Sequence, residues 1–549
     1  MNRVDAAILG SFFNLKIMLN IEQQELKERL LSFLNSSQNG YFGIYGAGGT
    51  GKTFTICHTI HDYKGKILFL GATNKVTNVL KDSLFKSNYF KPTTIKTIDS
   101  FLKFKITRDH ENKQTISYSF PSKNEIPDLI IIDEISLISF QKFNLLEQLK
   151  NDCKFILLGD YLQLPPIEEE RENVTRNEDG FQVSKIFLSI PKENTFTLTI
   201  QNRQKTDSDL GKMISNFRKF MNVNINPISL ATKKRNDIDI FYYDIHDKKL
   251  TEIIKENNCV AVCFKNLSVL NFNWLIGSTK SMKKDYRLNE INIGDSLMFD
   301  QFYNSKETKF YTSNIIEVIN IEKNCNERFY IKDGMIKTII FNKIKVKNSV
   351  NKIEEIRYIH GGLYGQNGGG VTQSVYGQRK TYLEHIKKNK NLNENKSFLK
   401  DLNTRFADYQ NSFAKLKRPY AITCHKAQGS TYDVVIIPVY DYFMMNFKDA
   451  NQLLYVALSR AKEKIIFVNK KEQFDQTTKR KNFSEFEKQS IASHFDYKCN
   501  ICRTNLLERD YQIDHKLPIA NGGKNSIDNL QPLCKKCHLT KTKNETYGK

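Results

Sequence analysis

Between Gly40 and Leu158, short unbroken apolar runs alternate with stretches of helical periodicity: Tyr41–Tyr45, Ile67–Leu70, Leu129–Ile132 and Phe155–Leu158. A strand with no polar alternation has both faces covered, so the pattern predicts a doubly wound parallel sheet in an α/β domain. A second set follows at Cys259–Phe264, Val434–Pro438 and Ile465–Val468. It is interrupted by Gly294–Met298, Ile315–Ile321 and Ile336–Val346, which predict short antiparallel strands closing a small β-barrel. The expected layout is a first sheet domain over 1–225 with a hairpin insert near 101–120, and a second assembled from 226–290 and 412–470. The insert and a long loop take 291–411, a polar linker 471–482, and a terminal domain 483–549. Gly-rich His360–Gly370 reads as a flexible loop, because no strand-turn-helix frame surrounds it. Lys387–Lys396 reads as a solvated surface.

Composition narrows the class. A chain of 549 residues is too long for one core and predicts about three to four folding units. Its 83 basic and 60 acidic residues leave a formal charge of +23, which favours a polyanionic partner. No run approaches the ~20 apolar residues of a membrane span, and Met1–Asn20 reads as ordinary chain. Six of the ten cysteines are scattered; Cys499, Cys502, Cys534 and Cys537 form two CxxC pairs. That is a metal pattern, and it fits a reducing intracellular compartment: cytoplasm, nucleoid or a viral replication site.

The sequence from Gly46 to Thr53, GAGGTGKT, matches GxxxxGK[ST] between a strand-like and a helix-like segment. Gly46, Gly48, Gly49, Thr50 and Gly51 let backbone N–H groups wrap phosphates at a helix N-terminus. Lys52 is expected on the β/γ-phosphates of ATP, and Thr53 on Mg²⁺. Asp133 and Glu134 end the run Leu129–Ile132, where an α/β sheet presents ligands. Asp133 suits the Mg²⁺ shell, and Glu134 the attacking water. Gln163, in a loop stiffened by Pro165 and Pro166, is placed to sense the γ-phosphate.

In this order the motifs resemble superfamily 1 helicases, in the branch of the RecD-type, Dda-type and Pif1-type enzymes. The resemblance implies two RecA-like domains with an SH3-like insert, and 5′ to 3′ movement on single-stranded or forked DNA. Leu19–Gln23 resembles the adenine-reading motif, with Gln23 as its reader. Gly71–Lys75 and Thr97–Phe101 resemble strand-gripping motifs, which assigns Thr73, Asn74, Thr97 and Ser100 to DNA phosphates; Asp99 stands where many relatives carry His. Leu198–Arg203 resembles the motif whose arginine meets the γ-phosphate. Ala421–Thr431 is close to motif V, giving Thr423 and His425 to DNA and Gly429 to nucleotide. Leu454–Ala461 is close to motif VI, making Arg460 the second arginine finger. The segment 101–120 corresponds to a duplex-splitting hairpin.

The two CxxC pairs fit tetrahedral Zn²⁺. Asp514-His515, Asn521-Gly522-Gly523, Asn529 and His538 lie between or beside them, and the segment resembles HNH endonucleases of ββα-metal fold. The resemblance implies His515 as general base, Asp514 and His538 as ligands of a Mg²⁺ or Mn²⁺ ion, and Asn529 as support for the loop that aims His515. Two other readings use the same residues. One is a helicase whose zinc module only binds DNA or a partner; the other is an ATP-gated clamp that never unwinds.

Overall fold

The computed structural model describes residues 19–86, 94–108, 114–166, 174–177, 179–201, 209–222, 240–245, 247–281, 286, 288, 290–305, 307–330, 336–348, 350–358, 400, 404, 411–442, 447–469, 483, 488, 491–492, 495, 498–504, 506, 511–523, 525 and 529–547. The Gly-rich stretch, the Lys/Asn-rich stretch and Arg203 lie outside them, as does the whole of the expected linker, 471–482. Two compact units divide the chain: one runs through Val468, apart from Asp244–His246, and the other holds those three residues and Asn469–Lys549.

In the first unit, α1 (Ile21–Asn35) precedes β1 (Gly40–Gly46) and α2 (Lys52–Thr59). There follow β2 (Ile67–Gly71), α3 (Asn74–Lys86), β3 (Thr94–Thr97), β4 (Leu129–Asp133), β5 (Lys154–Gly159) and β6 (Thr195–Leu198). These strands form one parallel sheet in the order β6-β1-β5-β4-β2-β3. The apolar runs lack alternation because both faces are covered. Ile130, Ile132, Phe155 and Leu157 enter one core; Leu129, Ile131, Ile156 and Leu158 enter the other. Strands Lys105–Arg108 and Gln114–Ser117 pair antiparallel as a hairpin.

Helix α4 (Asp209–Lys219) leads toward a second sheet built from β7 (Ile240–Asp244) and β8 (Cys259–Cys263), the latter followed by α5 (Asn266–Ser281). The expected boundary at 225 falls after α4, yet Leu210, Ile214 and Phe217 of that helix share a core with Ile437, Tyr455 and Phe467. The interruption supplies β9 (Ser296–Phe299), β10 (Ile315–Tyr330), β11 (Ile336–Lys347), β12 (Ile353–Tyr358) and β13 (Leu416–Lys417). They form an antiparallel sheet, β12-β11-β10-β9-β13, over a core of its own that includes Leu297, Phe299, Val318 and Ile344. The chain then resumes the second sheet with β14 (Ala421–Thr423), α6 (Cys424–Ala427), β15 (Tyr432–Pro438), α7 (Phe447–Leu458) and β16 (Ala461–Asn469), in the order β7-β16-β15-β8-β14.

The second unit carries β17 (Tyr511–His515), β18 (Leu530–Cys534) and α8 (Lys535–Tyr547). Its two strands pair antiparallel, with Asp514 opposite Gln531 and His515 opposite Leu530. Its described apolar cluster is small, centred on Cys499, Leu506 and Leu533. Among the described residues no helix is long and apolar enough to cross a membrane.

Candidate functional sites

The glycine-rich turn joins β1 to α2 at the carboxyl end of the parallel sheet. Gly49 and Gly51 have φ of 95° and 87°, the left-handed region that side chains avoid. A Cβ at Gly46 would lie 2.4 Å from the Leu198 carbonyl oxygen, so β6 holds the turn against its neighbour. Lys52 is buried; its Nζ donates to the carbonyls of Gly46 (2.7 Å) and Ala47 (3.1 Å). Thr53 Oγ1, on α2, donates to Asp133 Oδ2 at the end of β4, at 3.3 Å. Burial first, and then the charge of Glu134, pushes Asp133 up to about 6. Glu134 takes a left-handed backbone (φ 54°), and its buried Oε2 has no hydrogen-bond partner among the described residues. Buried carboxylate oxygens are rarely left unmatched, so this atom fits a water or hydrated ion brought by a nucleotide. The donor set likewise suits a hard divalent ion: a hydroxyl and a carboxylate beside room for waters and phosphate.

Gln23 closes a reciprocal cap at the start of α1. Its N–H donates to Asn20 Oδ1 (2.9 Å), Asn20 N–H donates to Gln23 Oε1 (3.1 Å), and Gln23 Nε2 donates to the Thr50 carbonyl (3.3 Å). Glu22 accepts from the N–H groups of Thr199 (2.8 Å) and Ile200 (3.0 Å), which brings the exit of β6 to the same place. Gln201 Nε2 donates to the Gly48 carbonyl at 3.0 Å. Glu22 and Gln201 are one and two residues from the predicted Gln23 and Arg203, but nothing in their sequence marked them.

The second sheet meets this end of the first through a buried polar seam. Asp160, with a fully buried side chain, accepts from Arg218 Nη1 at 2.9 Å and from the Tyr455 hydroxyl at 2.7 Å. Gln428 Nε2 donates to the Leu164 carbonyl (2.9 Å), and Gln452 Nε2 to the Gln163 carbonyl (3.1 Å). Gln163 is itself buried, and its Oε1 has no hydrogen-bond partner among the described residues. Gly429 (φ 70°) approaches α3 closely: a Cβ there would sit 3.3 Å from Val76 Cγ2. Lys75 Nζ donates to the Lys426 carbonyl (3.3 Å); burial first, then the charge of Arg460, pushes it down to about 8.

Arg460 is only 2% exposed. Its guanidinium donates to the Val456 carbonyl (3.1 Å), the Ser430 carbonyl (3.2 Å) and Ser459 Oγ (2.8 Å). Among the described residues it has no carboxylate partner and no hydrogen bond to the glycine-rich turn. A buried cation without a counter-ion favours an anion beside it.

The expected strand-gripping residues gather at strand ends. Thr73 and Asn74 follow β2, Thr97 ends the neighbouring β3, and Gly71 and Thr97 are directly in register. Thr73 Oγ1 accepts from Val76 N–H (3.3 Å), and Thr97 Oγ1 from Ser100 N–H (3.1 Å). Asp99 forms an ion pair with Lys142 at 2.6 Å. Thr423 caps α6, accepting from Lys426 N–H (3.4 Å), and burial lowers the pKa of His425 one residue pair beyond.

In the second unit the four thiols Cys499, Cys502, Cys534 and Cys537 have Sγ atoms within 4.8 Å of one another. Tetrahedral Zn²⁺ at ~2.3 Å from each sulfur places sulfurs about 3.8 Å apart, so the set fits that ion. Asp514 Oδ2 accepts from Lys541 Nζ (2.8 Å) and Gln531 Nε2 (2.9 Å), and Lys541 Nζ also donates to the His515 carbonyl (2.7 Å). His538 sits three residues before Lys541, on the same face of α8. Asn529 brackets Leu517, accepting from its N–H (2.8 Å) and donating to its carbonyl (2.9 Å). Two of these partners, Gln531 and Lys541, carry no signal in the sequence.

Three family models match the chain: an AAA domain over residues 33–169, a UvrD-like helicase C-terminal domain over 419–468, and an HNH endonuclease over 499–544. The chain carries helicase domains of these two types and a C-terminal HNH domain. Its helicase motifs span both sheets, and the module coincides with the four-thiol cluster. An uncharacterized mimivirus protein, R530, is 26% identical over 82% of this chain and 100% of its own length. The RecD subunit of the Buchnera aphidicola RecBCD enzyme is 27% identical over 83% of this chain and 74% of its own. The ATP-dependent DNA helicase Pif1 of Campylobacter jejuni is 23% identical over 76% and 86%, respectively. A solved Bacteroides Pif1 complex with ADP-AlF3 and single-stranded DNA aligns at TM-score 0.41 and 16% identity, over 82% of this chain and 92% of its own.

Proposed function

We propose that the protein is an ATP-dependent DNA helicase and translocase, moving 5′ to 3′ on single-stranded or forked DNA, whose HNH module cuts DNA at a separate site. The observation that carries the motor reading is the gathering of Lys52, Thr53, Asp133 and Glu134 at the end of one sheet, while the other sheet supplies a buried Arg460 that has no carboxylate partner among the described residues. Lys52 exchanges its two loop carbonyls for the β/γ-phosphates. Thr53 and Asp133 hold the Mg²⁺ that accompanies ATP, and Glu134 orients water. Gln23 lies against the turn to read adenine, Gln163 and Gly429 line the phosphate side of the seam, and Arg203 and Arg460 complete the charge around the transferred phosphoryl group. Thr73, Asn74, Thr97, Ser100, Thr423 and His425 grip the strand.

In the module, Zn²⁺ on the four cysteines serves the fold. Asp514 and His538 would hold a Mg²⁺ or Mn²⁺ ion, which supplies stabilisation of negative charge on the leaving oxygen. His515 takes a proton from water as the water oxygen bonds to phosphorus; the phosphorus–oxygen bond to the departing sugar breaks, and that oxygen is then protonated from solvent. Asn529 fixes the loop behind His515.

The test compares wild type, Lys52→Ala and His515→Ala on single-stranded, duplex and forked DNA. Lys52→Ala is expected to abolish ATP hydrolysis and strand separation while sparing nicking, and His515→Ala the reverse. Wild-type ATP hydrolysis without strand separation would point to a clamp. Nicking by His515→Ala at the wild-type rate would reduce the module to a binding device.

A further inference from the structure

His515 Nε2 lies 2.8 Å from the side-chain oxygen of Asn525, whose residue exposure is 0%. An amide oxygen only accepts, so the proton of this hydrogen bond belongs to Nε2. In the neutral ring the lone pair is then on Nδ1, the only nitrogen left to remove a proton.

The loop between His515 and Asn525 is built to hold that contact. The Pro518 carbonyl accepts from Asn521 N–H (2.9 Å) and Gly523 N–H (3.0 Å), and Gly522 turns the chain with φ 86°. A Cβ on Gly523 would meet the Leu517 carbonyl oxygen at 2.0 Å, the same oxygen that Asn529 Nδ2 holds. Lys516 N–H donates to the Asn529 carbonyl at 2.7 Å. The loop is thus closed on itself at its base, with a buried amide at its far end brought back onto the imidazole.

We propose that Asn525 is a positioning residue of the nuclease, fixing His515 as its Nε2–H tautomer so that Nδ1 faces the water. This rests on the reading of His515 as general base. A hydrogen bond fixed before DNA arrives removes the need to reorient the ring during reaction.

The test uses full-length protein labelled with ¹⁵N in its histidine rings, held well above the ordinary imidazole range of about 6.5 so that the rings are neutral. His515 is assigned by the signal missing from His515→Ala. Wild type and Asn525→Asp, which keeps an acceptor, are expected to show protonated Nε2 and bare Nδ1; Asn525→Leu is expected to mix the tautomers. Nicking of supercoiled plasmid with Mn²⁺ should fall roughly 10- to 100-fold in kcat for Asn525→Leu, with KM for DNA unchanged, and recover in Asn525→Asp. A bare Nε2 in wild type overturns the proposal, as does wild-type nicking by Asn525→Leu. Loss of bound zinc from both variants also overturns it, because Asn525 would then be a folding element. If wild type shows the expected tautomer but does not nick, the general-base reading fails instead.

Discussion

Replacing Asp133 by Asn should make the nucleotide-free helicase lobes more heat-resistant while removing ATP hydrolysis. The carboxyl is raised from 3.8 to about 6, by burial first and by Glu134 second. A rise of that size corresponds to ~3 kcal/mol of penalty on the charged form at neutral pH. Partial exposure of the side chain and the cost of burying an amide in its place cut the net gain to ~1–2 kcal/mol. For lobes of this size that is a rise in Tm of about 2–8 °C. Because the folded pKa is above the unfolded one, the penalty is complete above pH 6 and fades as pH falls toward 4. The gap between variant and wild type should therefore be widest near pH 8 and narrow toward pH 5. Saturating Mg²⁺-ATPγS should raise the wild-type Tm and leave Asp133→Asn nearly unmoved. Scanning calorimetry across that pH range measures all of this; an Asp133→Asn protein melting at or below wild type at pH 8 would refute the reasoning.

Arg218→Met leaves Asp160 charged and buried without its cation, and should cost ~3–5 kcal/mol; adding Asp160→Asn should restore much of the lost Tm, and no restoration would mean the pair is not coupled. A zinc chelator should expose residues 499–537 to limited proteolysis while ATP hydrolysis continues, since the module's apolar cluster among the described residues is too small to hold it alone; continued protection after zinc removal would count against this. Gly523→Ala, whose new methyl must displace the Leu517 carbonyl, should lower nicking at least tenfold with ATP hydrolysis unchanged, and a plasmid-nicking assay beside an ATPase assay reads both.

What could be read beforehand was whatever local pattern dictates. Leu129–Ile132 announced a strand covered on both faces because its odd and even residues face different cores. The glycine-rich turn and the paired thiols announced themselves because phosphate and zinc demand fixed spacings. The seam between the sheets was not legible: Asp160, Arg218 and Tyr455 are separated by 58 and 237 residues in the chain, and no spacing relates them. Asp99 stands where many relatives carry His, and its ion pair with Lys142 could not be foreseen from the motif. Asn525 was hidden differently, since an Asn two residues after a Gly-Gly pair reads as ordinary turn chemistry unless the imidazole it meets is known.

Leu162, Leu164 and Phe181 from one sheet's side share a dry interior with Phe217, Ile437 and Tyr455 from the other. The halves of the motor therefore cannot swing apart like the covers of a book without wetting common ground. Relative movement of the two sheets at that joint must run along it, since parting it would bring those side chains into water.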